Sequence, residues 1–253
     1  EPDNAFTPGW HIEAICEHLE AVTRGDIKRL LINVPPGCMK SLTTNVLWPA
    51  WEWGPQNMPG NRYVCASYSQ DLTHRDNRKC NSLVQSPWYK NLWGDIVQID
   101  KGQDSKTRFD TTRKGFKLAT SIGGVGTGER GDRFIVDDPH NIKEGESEKK
   151  LKAAMHWWRE VLGYTHLMLP MEYEPKRKCM IEVTGFEDPR TEENELLWPE
   201  RMPRAAIERD KRTMGSYASA GQYQQRPSPR GEGIFRVENL KYVDIAPNLI
   251  KNV

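Results

Sequence analysis

Residues 30–41 of the chain read LLINVPPGCMKS and decide how this part of the protein folds. The apolar run over residues 30–34 predicts a buried strand, and the Pro-Pro-Gly step over residues 35–37 predicts a tight turn. Lys40 then opens a stretch with helical character that continues to residue 53. A strand, a tight loop and a helix start are typical of a phosphate-binding loop, because backbone N–H groups converge there.

Two side chains at this junction suit a nucleotide site. Lys40 can neutralise the outer phosphates, and the Ser41 hydroxyl can bind magnesium. The strict pattern of such loops, Gly-x-x-x-x-Gly-Lys-Ser/Thr, requires glycine at two positions where this chain has Val34 and Met39. The pattern alone therefore leaves two interpretations open: a variant phosphate loop, or an ordinary strand-to-helix turn with a solvated lysine.

An acidic strand end lies far downstream, where residues 134–138 read FIVDD. Carboxylates at the end of an apolar strand are costly unless a cation or a substrate satisfies them. We expect Asp137 to hold magnesium through water and Asp138 to activate the attacking water. The same residues also begin turns well, which is the structural alternative. Their occurrence together with the phosphate loop favours the nucleotide site.

A glycine-rich loop over residues 121–131 precedes the acidic strand. Its glycine spacing is wrong for a dinucleotide-binding loop, and a strand follows where that motif requires a helix. We expect a mobile loop in which Arg130 reaches a γ-phosphate, in its own subunit or in a neighbouring one. A hairpin loop with a solvated arginine is the alternative.

Helical and strand patterns alternate along the rest of the chain. Apolar residues at three- and four-residue steps predict an amphipathic helix from Ile12 to Val22, ended by Gly25. Further strands are predicted over residues 62–67, 107–120, 133–137 and 178–184, and further helices over 70–85, over 146–162 and from Pro203 onward. This alternation predicts an α/β fold with a mainly parallel sheet and helices on both faces.

Length and composition set outer limits on the function. The 253 residues suffice for one large domain or two modest ones. The formal net charge of +1 gives the whole chain no strong attraction to nucleic acid, so any polyanion must be bound by local patches. No apolar run approaches the roughly 20 residues of a transmembrane helix. The five scattered cysteines argue against a zinc site or a disulfide framework and indicate a reducing, cytoplasmic setting.

Several motifs, in this order, resemble one protein family. Residues 34–41, residues 66–72 (ASYSQDL) and residues 136–140 (VDDPH) are similar to the large terminase subunit of tailed bacteriophages. Residues 221–227 (GQYQQRP) and 231–235 (GEGIF) resemble the end of that family's ATPase region. The resemblance covers nearly the whole chain. It implies a P-loop NTPase of the ASCE type, with helices flanking a mainly parallel central sheet and with a small C-terminal lid subdomain.

The resemblance also implies a function: ATP hydrolysis coupled to translocation of double-stranded DNA into a viral procapsid. Catalysis would involve Lys40, Asp138 and Arg130, and magnesium would be held by Ser41 and Asp137. The residues that would bind ATP are Pro36, Gly37, Cys38, Met39, Lys40 and Ser41. Implied partners are double-stranded DNA, the portal protein, the small terminase subunit and further copies of the chain in a ring on the portal. The setting would be the host cytoplasm, with no membrane.

DNA contact would be mainly to phosphates and independent of base sequence. Two basic groups are candidates, Arg75 with Arg78 and Lys79, and the run over residues 176–178. Charge runs of this kind are usually solvated faces, which is the alternative interpretation.

The chain departs from the family in two places. The family has a strand with a coupling motif after the helix that follows the acidic strand, and here two or three dozen residues are missing near Leu162–Gly163. Residues 1–170 are therefore predicted to be the ATPase core without that segment. Residues 171–253 are predicted to be the lid subdomain and a linker toward a nuclease domain that this chain lacks, so nuclease activity is expected only in a full-length protein.

Two other functions stay open on the sequence. A helicase-like or other P-loop ATPase would share every nucleotide role and move a different polymer. A DNA-binding scaffold with an inactive phosphate loop would be compatible with Met39 and with the missing coupling strand. Stimulation of ATP hydrolysis by duplex or by single-stranded DNA would distinguish the packaging motor from the helicase-like ATPase. ATP binding without turnover would indicate the inactive scaffold.

Overall fold

The computed structural model describes residues 6–121, 130–138 and 164–226. Its α-helices are α1 Trp10–Arg24, α2 Lys40–Leu42, α3 Trp48–Trp53, α4 Gln70–Gln85, α5 Pro87–Trp93 and α6 Arg204–Gln222. A π-helical segment, Thr43–Leu47, joins α2 to α3, and Pro175–Arg177 is a 3-10 turn. The strands are β1 Leu30–Asn33, β2 Arg62–Ser67, β3 Ile99–Asp104, β4 Arg108–Thr111, β5 Phe116–Ser121, β6 Arg133–Asp137, β7 Thr165–Met168, β8 Met180–Ile181 and β9 Phe186–Glu187.

Most of the predicted elements that fall in this part of the chain are confirmed. α1 ends at Gly25, whose φ of 89° is left-handed and whose N–H bonds back to the carbonyls of Ala21 and Val22. β2 and α4 have the predicted bounds, and α6 begins directly after Pro203. β3 was not predicted, since its exposed polar residues lack an apolar alternation. The predicted helix over 146–162 and most of the glycine-rich loop lie outside the described residues.

The central sheet has the strand order β3-β4-β5-β2-β6. β2 lies between β5 and β6 and is parallel to both, while β4 and β3 extend the sheet in antiparallel fashion. The register places Ser67, the last residue of β2, beside Ser121 on one side and Asp137 on the other. The fold is therefore α/β with a mostly parallel sheet core, and the carboxyl ends of its parallel strands meet at one edge.

β1 belongs to a second, two-stranded ladder. It pairs in parallel with β7, from Leu30 opposite Thr165 to Asn33 opposite Met168. Within the described ranges, β1 and β6 share no ladder, although both line a cavity of about 880 Å³ between them. The parallel strands are thus interrupted between the strand that leads into the phosphate loop and the acidic strand.

One cluster of buried hydrophobic residues holds these pieces together. It includes Ile15 of α1, Trp53 of α3 and Leu167 of β7, all at or near zero exposure. Leu197 and Ile207, which lie beyond residue 170, belong to the same cluster. The predicted division at residue 170 stays a prediction, and the residues on both sides of it share this core.

Glu52 of α3 is fully buried and anchors the start of β6. Its carboxylate accepts hydrogen bonds from the Arg133 guanidinium at 2.7 Å, from Thr23 at 2.7 Å and from the Tyr63 hydroxyl. Burial alone would raise the pKa of Glu52, and the hydrogen bonds from Arg133, Tyr63 and Thr23 outweigh burial and lower it. Glu52 therefore stays ionised, and its ion pair fixes the acidic strand against the helix behind the phosphate loop.

Replacing Arg133 with methionine leaves the Glu52 charge buried without its cation. We expect Arg133→Met to lower the free energy of unfolding by about 3 kcal/mol, measured by urea denaturation. The double variant Glu52→Gln/Arg133→Met removes both charges and should be less destabilised than the single variant. A single variant that is as stable as the double variant would contradict this assignment.

His11 is a second buried titratable group. It is 0% exposed, packs 4.7 Å from the Trp198 ring between centroids, and neither ring nitrogen has a hydrogen-bond partner among the described residues. Burial, with a smaller contribution from the Arg190 charge, lowers its pKa to about 4. The imidazole is therefore neutral in the folded protein at neutral pH.

The depressed pKa of His11 predicts a pH-dependent loss of stability. Below the unfolded pKa of about 6.5, His11 is protonated in the unfolded chain, whereas in the folded protein it stays neutral until about pH 4. Acid therefore favours the unfolded state in this range. Between pH 7 and pH 4 the wild type should lose about 3 kcal/mol more unfolding free energy than His11→Leu. Urea titrations of both proteins at several pH values measure the difference, and parallel pH profiles would disprove the prediction.

Candidate nucleotide-binding site

The loop after β1 is held in place by its own buried residues. Val34 and Cys38 are 7% and 1% exposed and belong to the hydrophobic core, whereas Pro36 and Gly37 are exposed. The Cys38 N–H bonds to the Pro35 carbonyl, which closes the turn. The loop thus presents its tip to solvent while its two flanks are anchored.

Two loop residues have left-handed backbone conformations, Gly37 with φ 83° and Met39 with φ 60°. Met39 is the residue directly before α2 and stands where the strict phosphate-loop pattern has glycine. Glycine reaches this φ without a steric penalty, whereas methionine does not. The backbone at residue 39 therefore has a conformation that glycine would adopt more easily than methionine.

Lys40, the first residue of α2, lies between the two acidic residues at the end of β6. Its Nζ donates to Asp137 Oδ1 at 2.5 Å and to Asp138 Oδ1 at 2.8 Å. Burial opposes the charged form of Lys40, but the two carboxylates outweigh it and raise the lysine pKa. The structure thus brings together three residues that were predicted from distant parts of the sequence.

The donor set suits a magnesium ion. A lysine ammonium lies between the Asp137 and Asp138 carboxylates, which marks this place as one for a cation. Ser41 follows Lys40 on the same helical turn, and magnesium prefers one or two carboxylates, hydroxyl or water oxygens and the phosphates of a nucleotide. The first N–H groups of a helix have no partner within the helix and are available to phosphate oxygens. In the described residues there is no cluster of three or more His, Cys, Asp or Glu side chains that would indicate another metal site.

The Cys38 thiol has no nucleophilic role in this loop. It is 1% exposed, and burial raises its pKa to about 12, against smaller opposing effects of Arg201 and Arg190. A thiol with such a pKa stays protonated at neutral pH, so Cys38 contributes packing.

Arg130 is exposed and precedes the amino end of β6, whereas Asp137 is the last residue of that strand. Its predicted action on a γ-phosphate, in its own subunit or in a neighbouring one, stays a prediction.

Asn45 was missed by the sequence reasoning. It lies in the π-helical segment, is 4% exposed, and its Nδ2 donates to Asp137 Oδ2 at 3.3 Å. A polar Thr-Thr-Asn run in a helix that is otherwise rich in apolar residues was the available signal. Helical spacing gave no reason to direct residue 45 toward the acidic strand.

The exposed basic residues on α4 lie on one face. Arg75, Arg78 and Lys79 are all exposed, although Arg75 also pairs with the Asp76 carboxylate at 2.9 Å. In the second group Lys178 pairs with Glu187, and Arg177 donates to the Gln224 carbonyl at 2.9 Å. The α4 face is therefore the less engaged of the two predicted basic patches.

Comparisons with known proteins find a similar fold. No protein-family model and no curated protein matches the sequence. Among solved structures, a mutant of the large terminase ATPase domain of Thermus phage P74-26 is similar, with a TM-score of 0.50 and 12% sequence identity. The match covers 83% of this chain and 93% of that one. At this identity the likeness concerns the fold, which is an α/β fold with a mostly parallel sheet.

None of the helices in the described ranges is long and apolar enough to cross a membrane.

The left-handed backbone at Met39 predicts a stabilising substitution. A non-glycine residue in this conformation costs the folded state about 1–2 kcal/mol. Glycine avoids this cost, but it makes the unfolded chain more flexible, which lowers the free energy of unfolding by about 0.5–1 kcal/mol. We expect Met39→Gly to be more stable than Met39→Ala by about 1 kcal/mol in urea denaturation. The alanine variant controls for the loss of the methionine side chain, and a glycine variant less stable than alanine would show that φ does not limit this position.

Proposed function

We propose that the chain is the ATP-hydrolysing motor domain of a viral DNA-packaging terminase, which translocates double-stranded DNA into a procapsid. One observation carries the proposal. Lys40, at the start of the helix after the β1 loop, bridges Asp137 and Asp138 at the carboxyl end of a separate strand. A helix start that binds phosphate and a carboxylate pair that binds a cation are the two halves of a P-loop ATPase site.

Each residue has a role that follows from its position. Lys40 would leave the carboxylates for the outer phosphates of ATP, whose charge exceeds that of the pair. Ser41 would bind magnesium directly and Asp137 through water, so that the cation lies where the lysine ammonium now lies. When bound, the magnesium ion would neutralise negative charge on the phosphate oxygens. Pro36 to Met39 would surround the phosphates with backbone N–H groups.

Asp138 suits the role of orienting the attacking water. Its side chain is 60% exposed, and its backbone has a φ of 44° that turns the chain away from the strand. The Tyr68 N–H donates to the Asp138 carbonyl at 3.2 Å and holds this turn against the end of β2. The carboxylate is therefore fixed at the rim of the site, within reach of solvent.

Within the described residues β1 and β6 share no ladder, and in our proposal the place between them is that of the coupling strand. In our proposal the segment missing near Leu162–Gly163 would run between these two strands, beside the cavity of about 880 Å³. Leu30 and Ile32 line one side of that cavity, and Ile135 and Val136 line the other. The carboxyl end of this proposed strand would then lie next to Lys40 and Asp137. We therefore expect this chain to bind ATP and to hydrolyse it slowly.

The remaining parts of the motor are proposed on the terminase likeness. Arg130 would act on the ATP of a neighbouring subunit in a ring on the portal protein, at the procapsid in the host cytoplasm. The exposed face of α4 with Arg75, Arg78 and Lys79 would bind the phosphates of duplex DNA. The small terminase subunit would be a further partner, and residues 171–253 would form the lid and the linker toward a nuclease domain.

Variants at the site test the ATPase assignment. Lys40→Ala should weaken binding of a fluorescent ATP analogue by about 10- to 100-fold, since it removes a charged hydrogen-bond donor. Asp138→Asn should keep binding and lower the hydrolysis rate by about 100-fold or more. The exposed Lys90→Ala on α5 is the control and should behave like the wild type. If both site variants bind and hydrolyse ATP as the wild type does, the assignment is wrong.

Duplex and single-stranded DNA, added separately to the hydrolysis assay, distinguish the polymer that is moved. Stimulation by duplex DNA supports the packaging motor, and stimulation by single strands alone would favour a helicase-like ATPase. Tight binding of ATP with no turnover at any protein concentration, with or without DNA, would favour an inactive scaffold.

A further inference from the structure

We propose that Asn45 and Ser67 are positioning residues for Asp137, which hold its carboxylate so that one oxygen faces the magnesium ion of the nucleotide. The inference deepens the proposed function and rests on it. Neither residue would touch the nucleotide. Both would act by fixing the orientation of a carboxylate whose cation changes during the reaction.

The two oxygens of Asp137 have different partners. Oδ1 accepts from Lys40 Nζ at 2.5 Å, and Oδ2 accepts from Asn45 Nδ2 at 3.3 Å. The lysine side therefore faces the place of the cation, and the asparagine side faces the helix behind it. An amide donor on one oxygen leaves the other oxygen to the cation and prevents the carboxylate from turning.

Asn45 lies in the π-helical segment. Lys40 and Asn45 are five residues apart, which in a regular α-helix places them about 140° apart around the axis. Thr43–Leu47 has π-helical geometry, so that Asn45 follows α2 in a wider turn than that of a regular α-helix. Both side chains contact Asp137, the longer Lys40 side chain from the start of α2. π-Helical turns inside α-helices are frequent at functional sites.

Ser67 approaches Asp137 from the neighbouring strand. The parallel register pairs Ser67 with Asp137, two residues beyond the pair of Cys65 with Ile135. Paired residues of adjacent strands point to the same face of a sheet, so the Ser67 side chain lies on the same face as the Asp137 carboxylate. Cys65 and Ile135 pack into the main core on that face, which is the face covered by Asn45.

Both positioning residues have unused hydrogen-bonding capacity. Ser67 is 2% exposed and its Oγ has no partner among the described residues, and the same holds for Oδ1 of Asn45. Buried polar atoms without partners are costly, and they are usually explained by a function or by a partner that binds later. Both of these atoms belong to residues beside Asp137.

The exchange of cations gives the Ser67 hydroxyl a use. When Lys40 moves to the phosphates, Asp137 loses the ammonium that now holds Oδ1. Asn45 still holds Oδ2, and a change of the Ser67 side-chain rotamer would bring its hydroxyl to the carboxylate as a second donor. Groups that orient a metal-holding carboxylate typically change metal affinity by about 10- to 100-fold when they are removed.

The test separates magnesium-dependent binding from nucleotide binding itself. Affinity for a fluorescent ATP analogue is measured in excess EDTA and across a magnesium titration, for wild type, Asn45→Ala, Asn45→Asp and Ser67→Ala. We expect unchanged affinity in EDTA for Asn45→Ala and about a tenfold higher magnesium concentration at half-effect. Asn45→Asp keeps the shape of the side chain and should be at least as impaired, because a second carboxylate replaces the donor. Ser67→Ala should shift the midpoint by about 2- to 10-fold.

Asn77→Ala is the matched control for loss of a buried asparagine. Asn77 is 0% exposed on α4, where it bonds to the Lys106 carbonyl and to Lys117 Nζ, away from Asp137. It should lower thermal stability and leave the magnesium midpoint unchanged. A wild-type midpoint in both Asn45 variants, or an equal shift in Asn77→Ala, would overturn the inference while the proposed ATPase stands. A wild-type protein that binds no nucleotide in either condition would overturn both.

Discussion

The contact of Lys40 with Asp137 and Asp138 is the interaction on which the rest of the site depends. It joins a loop near residue 40 to a strand end almost 100 residues later, although their strands share no ladder in the described structure. A half-buried ammonium between two carboxylates is favourable only when the three groups are held close, because each charge loses water. The fold must therefore fix both the loop and the strand end before the site exists.

Packing in the hydrophobic core fixes the loop after β1. Val34 and Cys38 belong to the same buried cluster as Leu197 and Ile207, which lie beyond residue 170. The acidic strand is fixed separately, through Arg133 on the buried carboxylate of Glu52 and through its parallel register with β2. Because different contacts hold the two halves of the site, the gap between them would, in the proposed function, accept a nucleotide without unfolding either half.

Much of this arrangement could be predicted from local sequence. The apolar runs of β1, β2 and β6 and the amphipathic pattern of α1 predict elements that the structure contains, because burial on one face leaves a period in the sequence. Lys40, Asp137 and Asp138 could be selected because charged groups at the ends of apolar strands need partners. Their pairing could be proposed, since parallel strands bring their carboxyl ends to one edge.

Other features could not be predicted, and each has a physical cause. β3 has no alternation of apolar residues because its side chains are exposed. Asn45 contacts Asp137 from within a π-helical segment, and α-helical spacing gives no reason to expect either feature. The left-handed φ of Met39 contradicts its residue type, so the sequence argues against the conformation that the surrounding packing imposes.

By itself the sequence determined the kinds of element, the α/β class and the charged residues that need partners, because these follow from side-chain chemistry and from spacing along the chain. The tertiary structure alone decided which of those residues meet. β6 lies beside β2, Met39 has a left-handed backbone conformation, and Asn45 contacts Asp137 from a π-helical segment. These outcomes depend on contacts between residues far apart in sequence, and such contacts leave no local pattern from which they could be inferred.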